Sequence, residues 1–191
     1  MRKIILHFAI TLDGVVSNVE QWVALDDEAI NDTGTYQDTL DAIIFGKNSY
    51  QPLVEYWTHA ETASSSPAER LFAKKLNDMH KYVLSHGEVE LTWKNSELLR
   101  VKDGEAFKQA IMQLKNAPGK DIWADAGEGV WRSFLEYDLW DGLDMLVHPL
   151  ILGHGKPLFA AFPSKTPLRL VYSKTYANGV MNLRYERVEG G

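Results

Sequence analysis

Short, continuous apolar runs alternate along the chain with longer stretches of helical periodicity. Residues 3–11 are almost all apolar, which is typical of a strand buried on both faces of a sheet. Further strand-like runs are predicted at 42–45, 81–84, 98–101, 121–124, 143–151, 168–176 and 180–188. The last two runs flank Asn178-Gly179, and Asn-Gly between two such runs is a strong signal for a β-hairpin.

Helical patterns fill most of the intervals between these runs. Asp26, Asp27 and Glu28 open one predicted helix, and Asn48 opens a short one. Residues 58–66 are predicted to be a surface loop near the mouth of a cleft, because they are polar and end in a capping box with proline at the first helical position. Three apolar helix faces follow: Phe72, Leu76 and Met79; Phe107, Ala110, Ile111 and Leu114 (after the capping residue Asp103); and Val130, Trp131, Phe134 and Leu135.

Repeated strand–helix units predict a parallel sheet with helices on both faces. The expected fold is therefore a three-layer α/β/α domain with a mixed, mostly parallel sheet and a C-terminal antiparallel hairpin. The length of 191 residues favours a single domain over residues 1–191. Ligands in such sheets bind beyond the carboxyl ends of the strands, so the loops after Thr11, Phe45, Leu84 and Ala124 are the places to look for chemistry.

Composition narrows the classes of function. A net charge of −6 argues against a nucleic-acid binder, and the absence of cysteine excludes disulfides and thiolate catalysis. The six histidines lack zinc-binding spacing, so we expect no metal site. The N-terminal apolar run is too short for a membrane span and lacks a signal-peptide cleavage site, so a cytoplasmic protein with no membrane partner is expected.

The loop after the second strand, Gly46-Lys47-Asn48-Ser49-Tyr50, combines a glycine, a cation and a helix start. These features suit an anion site, although an exposed lysine beside an ordinary helix cap fits them equally well. The loop after the fifth strand contains Gly127 and Gly129 but not the third glycine of a dinucleotide-binding fingerprint. Taken alone, that segment favours a tight strand-to-helix turn, and Glu128 counts against a phosphate there.

Two further loops carry polar groups. Ser85 and His86 follow the third strand, where a polar turn is the favoured interpretation and contact with a nucleotide the alternative. Asp13 and Gly14 follow the first strand. An ordinary Asp-Gly turn is the commoner interpretation, and a carboxylate that binds a polar substrate group is the alternative.

Together these segments resemble one family in their order along nearly the whole chain. Thr11-Leu12-Asp13-Gly14 resembles S-L-D-G, Gly46-Lys47-Asn48-Ser49-Tyr50 resembles G-R-x-T-Y, and 139–143 resembles L-V-D-E-L. Residues 148–159 are very close to P-x-x-L-G-x-G-x-x-L-F. These motifs are similar to those of the dihydrofolate reductase-like superfamily, specifically the branch of the C-terminal reductase domain of the riboflavin-biosynthesis protein RibD.

The resemblance implies an NADPH-dependent reductase that transfers a hydride to a C=N bond of a pterin-like or aminouracil small molecule. It places Gly46, Lys47, Asn48 and Ser49 at the cofactor phosphates and Leu84, Ser85 and His86 at the adenosine end. Ala126 and Gly127 take the place of a glycine pair beside the diphosphate and nicotinamide, and Thr11, Asp13 and Gly14 lie at the nicotinamide and substrate end. Asp13 and Asp27 are the candidate catalytic carboxylates, although acidic residues such as Asp27 at a helix start are more often explained by the helix dipole. The family also implies a homodimer.

Four positions depart from the family pattern: Lys47, Ser49, Ala126 and Gly142. Because Ala126 and Glu128 fall at the implied cofactor site, they leave open a second function. The chain could instead be a non-catalytic nucleotide-binding protein that retains the fold.

Overall fold

A mixed sheet of eight strands runs through the structure, a computed structural model that describes residues 1–160 and 165–188. The strands are β1 (Ile4–Thr11), β2 (Leu40–Gly46), β3 (His80–Ser85), β4 (Ser96–Arg100), β5 (Asp121–Ala124), β6 (Gly142–His148), β7 (Leu168–Thr175) and β8 (Met181–Arg187). Their order in the sheet is β4-β3-β2-β5-β1-β6-β8-β7. The first six are parallel, whereas β8 is antiparallel to β6 and β7 is antiparallel to β8. The predicted mostly parallel sheet with a terminal hairpin is confirmed, while the predicted domain of 1–191 extends beyond the described residues.

Helices cover both faces of this sheet. They are α1 (Asp27–Gln37), α2 (Lys47–Ala63), α3 (Pro67–Asp78), α4 (Gly104–Asn116) and α5 (Glu128–Glu136). The alternation of side chains along each strand explains the two layers, since Ile4 and Leu6 pack with α4 and α5 while Ile5 packs with α2 and α3. The three-layer α/β/α architecture is therefore confirmed. Within the described ranges, no helix is both long and apolar enough to cross a membrane.

Three helices begin at the capping side chains that the sequence indicates. Asp26, Ser66 and Asp103 each accept a hydrogen bond from the backbone N–H three residues ahead, at 2.8 to 3.0 Å. The capping box of α3 is only half formed, because Glu69 bonds to the hydroxyls of Tyr56 and Ser64 instead of the Ser66 N–H.

The prediction of a loop at 58–66 and a short preceding helix is wrong. α2 starts at Lys47, with Gly46 rather than Asn48 as its N-cap residue, and continues to Ala63. Tyr50, Val54 and Ala60 are buried on the inner face, and Trp57 packs against Phe72 of α3. This packing against a neighbouring helix stabilises a segment whose local polarity favours a loop.

Two predicted boundaries also shift. β6 ends at His148 and not at 151, because Pro149 has no N–H with which to continue the strand ladder. Met79 lies one residue past the end of α3, where it is still buried against the sheet.

Candidate functional site

A cleft of about 770 Å³ opens at the carboxyl ends of β2, β3 and β5. Nine of the predicted cofactor-binding residues line it: Gly46, Lys47, Asn48, Ser49, Leu84, Ser85, His86, Ala126 and Gly127. They converge because these three strands are parallel neighbours in the order β3-β2-β5, so their ends meet at one edge of the sheet. The volume is typical of a site for a ligand the size of a drug or a cofactor.

Two helix N-termini point their free N–H groups at this cleft. α2 begins immediately after Gly46 and α5 immediately after Gly127, and both glycines line the cleft. Neither helix receives a side-chain cap from the described residues. The first N–H groups of both helices are therefore available, together with the helix dipoles, to bind an anionic group.

Gly46 and Gly127 allow β2 and the turn after β5 to approach each other closely. A Cβ at Gly46 would lie 2.5 Å from the Ala126 carbonyl oxygen, and a Cβ at Gly127 would lie 2.7 Å from the Ser49 Oγ. Gly127 also has φ +81° and ψ 160°, a conformation available essentially only to glycine. The wall of the cleft therefore depends on glycine at these two positions.

Two charged residues that line the cleft, Lys47 and Glu128, decide whether an anion can bind there. Lys47 is exposed and its Nζ lies 3.5 Å from the Glu88 carbonyl oxygen. Glu128, which the sequence counts against a phosphate, is held by Arg132 at 2.9 Å. This ion pair offsets the negative charge of Glu128 at the start of α5.

Thr11, Asp13 and Gly14 do not line the cleft and instead organise the turn after β1. The Asp13 carboxylate accepts hydrogen bonds from the Thr11 hydroxyl at 2.5 Å and from the backbone N–H groups of Leu152 and Gly153 at 3.3 and 2.9 Å. These bonds, that of Thr11 first, lower the pKa of Asp13 to about 2. The structure thus gives Asp13 a role in fastening the 152–153 loop, and its catalytic assignment stays a prediction.

Asp27 lies at the first position of α1, exposed to solvent. Its carboxylate accepts a hydrogen bond from the Ser66 hydroxyl at 2.6 Å, which ties the starts of α1 and α3 together. It does not line the cleft, so its role toward a substrate also stays a prediction.

A second, narrower cavity lies on the opposite side of the turn after β5. This slot, about 90 Å³, is lined by the side chains of His7, Trp123 and Asp125 and by apolar residues of the α1–α3 layer and β6. The imidazole of His7 stacks on the Trp123 indole with centroids 4.3 Å apart and planes inclined by 17°. The Trp123 N–H is buried and has no hydrogen-bond partner among the described residues.

His7 belongs to a buried ionic network. Its Nδ1 lies 3.0 Å from Oδ2 of Asp144, a carboxylate that is 0% exposed. The other oxygen, Oδ1, accepts from Asn182 at 2.7 Å and Arg184 at 3.1 Å. The Arg184 guanidinium is itself sandwiched between Tyr36 and Tyr172, 3.9 and 4.3 Å from the ring centroids. The network keeps Asp144 ionised and fixes the orientation of the imidazole.

The two titratable groups of the slot influence each other. Burial by itself lowers the pKa of His7, but the hydrogen bond and charge of Asp144, with the charge of Asp125, leave it raised above 6.5. Burial raises the pKa of Asp125, and the charge of His7 partly opposes that rise. Titratable groups with shifted pKa values that line a cavity make the slot a candidate functional site.

The importance of His7, Asp125 and Asp144 is not apparent from local sequence patterns. One available signal is that His7 and Asp144 are ionisable residues in the middle of two largely apolar strand runs. Their partnership, however, depends on the register between β1 and β6, which pairs His7 with Asp144 directly.

Comparison with known families accounts for nearly the whole chain. The family model of the RibD C-terminal domain matches residues 2–182. The chain belongs to the RibD C-terminal domain family. This RibD-type chain is 29% identical over 188 residues to the uncharacterized protein YyaP of Bacillus subtilis strain 168, covering 96% of this chain and 94% of YyaP. It is 25% identical over 190 residues to the uncharacterized protein YwjB of the same organism, covering 97% and 98% of the two chains.

Solved structures confirm the dihydrofolate reductase-like fold of the RibD-type domain. A putative riboflavin biosynthesis protein from Shewanella sp. PV-4 aligns with a TM-score of 0.69 at 17% identity over 98% of this chain and 99% of that one. RibD of Acinetobacter baumannii aligns with a TM-score of 0.63 at 15% identity over 99% of this chain and 59% of that one. A Thermotoga maritima protein named as a diaminohydroxyphosphoribosylaminopyrimidine deaminase and 5-amino-6-(5-phosphoribosylamino)uracil reductase aligns with a TM-score of 0.61 at 13% identity, covering 98% and 57%.

Proposed function

We propose that this chain is an NADPH-dependent reductase that acts on a C=N bond of a small molecule carrying a planar pterin-like or aminouracil ring. The turn after β5 carries the proposal, since Asp125 lines the slot while the next two residues, Ala126 and Gly127, line the cleft. One short turn therefore has a cofactor-sized cleft on one side and a slot with two titratable groups on the other. Membership of the RibD C-terminal domain family supports reductase chemistry.

The residues of the cleft fit a dinucleotide phosphate. The uncapped starts of α2 and α5 suit its diphosphate, and the missing side chain at Gly127 leaves space that a Cβ would fill. We expect Lys47 to bind a 2′-phosphate and Ser85 and His86, which line the cleft after β3, to contact the adenosine. When bound, NADPH supplies a hydride from its nicotinamide C4.

Besides the hydride, the reaction needs a proton donor and an orienting hydrogen-bond acceptor, and residues of the slot can provide both. Reduction of a C=N bond places the hydride on carbon and requires a proton on nitrogen. Protonated His7, held by Asp144, donates that proton, and Asp125 accepts a hydrogen bond from an N–H of the ring. The apolar walls exclude water from the reacting atoms.

A titration and a turnover assay test the proposal. NADPH should quench protein fluorescence at saturable concentrations, and its absorbance should then decay on addition of a dihydropterin or an aminouracil. His7→Gln should keep the NADPH affinity and lose most of the turnover. Failure to bind NADPH would refute the proposal.

A second candidate function is favoured by Ala126 and Glu128, which both line the cleft. Saturable NADPH binding without turnover of any pterin or aminouracil would indicate a nucleotide-binding protein that retains the fold without the chemistry.

A further inference from the structure

The side chains that line the slot between β5 and the α1–α3 layer determine which heterocycles can bind in it. We infer that its ligand is a flat ring that carries no phosphate, an inference that rests on the proposed function. The ring would present an acceptor to His7 and an N–H donor to Asp125, which are the ionisable side chains lining the slot. No lysine or arginine is among the described residues that line it.

The interior of the slot favours a compact aromatic ligand. At about 90 Å³ the slot is much smaller than the cleft of about 770 Å³, so it suits one flat ring system without a large substituent. Trp57, Phe72 and Trp123 provide aromatic walls. The hydroxyl of Thr33, another polar group of the lining, already donates to the Ala29 carbonyl at 2.8 Å. A sugar phosphate attached to the ring would have to lie outside the slot, on its rim.

The rim formed by the start of α1 is acidic. Asp26 and Asp27 lie between Leu25 and Ile30, which both line the slot, and Glu28 and Asp32 follow on the same helix. Lys174 is the cation beside them, and it bridges Glu28 at 2.9 Å and Asp32 at 2.7 Å. A phosphate at this rim would be repelled by the carboxylates, and the nearby cation, Lys174, already pairs with two of them.

α3, which lines the slot with Phe72 and Leu76, carries three cations near this side of the structure, and each has a partner. Arg70 donates to the Ser64 carbonyl at 2.5 Å, and Lys74 pairs with Asp78 at 2.9 Å. Lys75 binds Asp38 at 2.7 Å and the Gly34 carbonyl at 2.9 Å. A phosphate monoester, with about −1.5 to −2 charges at neutral pH, would therefore have to displace existing partners to gain a cation at this rim.

A matched pair of compounds tests the inference: 5-amino-6-(ribosylamino)uracil and its 5′-phosphate, which differ only in the phosphate. Each is titrated calorimetrically into the protein with and without NADPH. The unphosphorylated compound should bind at least about tenfold more tightly, and the difference should shrink as salt screens the acidic rim. Equal or tighter binding of the phosphate, or binding of neither compound, would overturn the inference.

A substitution that removes one negative charge from the rim tests the effect of the rim separately. Asp26→Asn keeps a side-chain acceptor for the Ala29 N–H and removes one negative charge, so it should tighten the phosphorylated compound several-fold and leave the other unchanged. Glu105→Gln, an exposed acid on α4 at the opposite face of the sheet, is the matched control and should change neither. Equal effects of the two variants would count against the rim. The proposed function is judged separately, by NADPH binding and turnover, so either idea can fail alone.

Discussion

His7 and Asp144 are direct partners across the β1–β6 pairing, although 137 residues separate them in the chain. The parallel register brings the imidazole Nδ1 within 3.0 Å of the carboxylate and turns both side chains toward the same face of the sheet. Asn182 and Arg184 on β8 occupy the other carboxylate oxygen. Three strands therefore cooperate to present one imidazole at the slot.

The pH dependence of turnover should reveal this pairing. Because Asp144 raises the pKa of His7, a reaction that needs protonated His7 should lose rate as pH rises through a value above 6.5. Asp144→Asn should move that loss to lower pH. The same shift makes the contribution of His7 to folding stability fully present below pH 6.5, with loss as pH rises through the raised pKa, while the lowered pKa of Asp144 makes its own contribution disappear only in acid below pH 3.8.

Removal of one partner of a buried ion pair costs about 3–5 kcal/mol, so the Asp144→Asn protein should be checked for folding by circular dichroism. His7→Gln provides the second measurement, since it removes the titrating group without leaving an uncompensated imidazolium. A pH profile that is identical in wild type and Asp144→Asn would exclude His7 as the proton donor.

Local patterns predict the scaffold and the cleft well, for a physical reason. Buried parallel strands are continuous apolar runs, and the ends of such strands converge, so the loops after Phe45, Leu84 and Ala124 meet as expected. The slot is different, because it depends on the register of β1 against β6 and on helices packed over the sheet. The length of α2 depends in the same way on contacts of Trp57 and Ala60 that no local pattern contains.

Asp13 offers a direct comparison between a catalytic and a structural role. Its three hydrogen bonds predict that Asp13→Ala lowers Tm while the affinity for NADPH stays unchanged. Since the pKa of Asp13 is lowered to about 2, its stabilising effect should persist above pH 3.8 and disappear as pH falls toward 2 in the wild type. Loss of turnover at unchanged Tm would instead support the predicted catalytic role of Asp13.

The edge strand β7 suggests where a homodimer would form. Leu168, Leu170 and Val171 are 36%, 50% and 50% exposed on a strand paired on one side with β8. Light scattering at micromolar concentration should give twice the chain mass of 21.6 kDa, and Leu170→Lys should reduce it to the monomer. Leu71→Lys, at a leucine 53% exposed on α3, is the control and should remain dimeric. A monomeric wild type would remove the proposal.

The glycine at the start of α5 should be indispensable to the cleft. Gly127→Ala forces a non-glycine residue into a conformation that costs of order 1–3 kcal/mol and places a Cβ 2.7 Å from Ser49 Oγ, so NADPH affinity should fall at least tenfold. Gly129→Ala is the matched control two residues on, because its Cβ meets no described atom within 4 Å and alanine favours the helix. Equal losses in both variants would show that the effect is general to the turn.

Lys47 should decide which nicotinamide cofactor binds. It is the lysine lining the cleft, and its Nζ makes one long contact, 3.5 Å to the Glu88 carbonyl, so it is free to reach a phosphate. A charged hydrogen bond of this kind contributes roughly 1.5–3 kcal/mol, which corresponds to about tenfold to a hundredfold in Kd. Lys47→Ala should therefore weaken NADPH by such a factor and leave NADH almost unchanged. Because the side chain is exposed, the preference for NADPH should also narrow as ionic strength rises. Fluorescence titration of both cofactors against both proteins separates the possibilities, since equal losses for the two cofactors, or none for either, would place Lys47 outside the site.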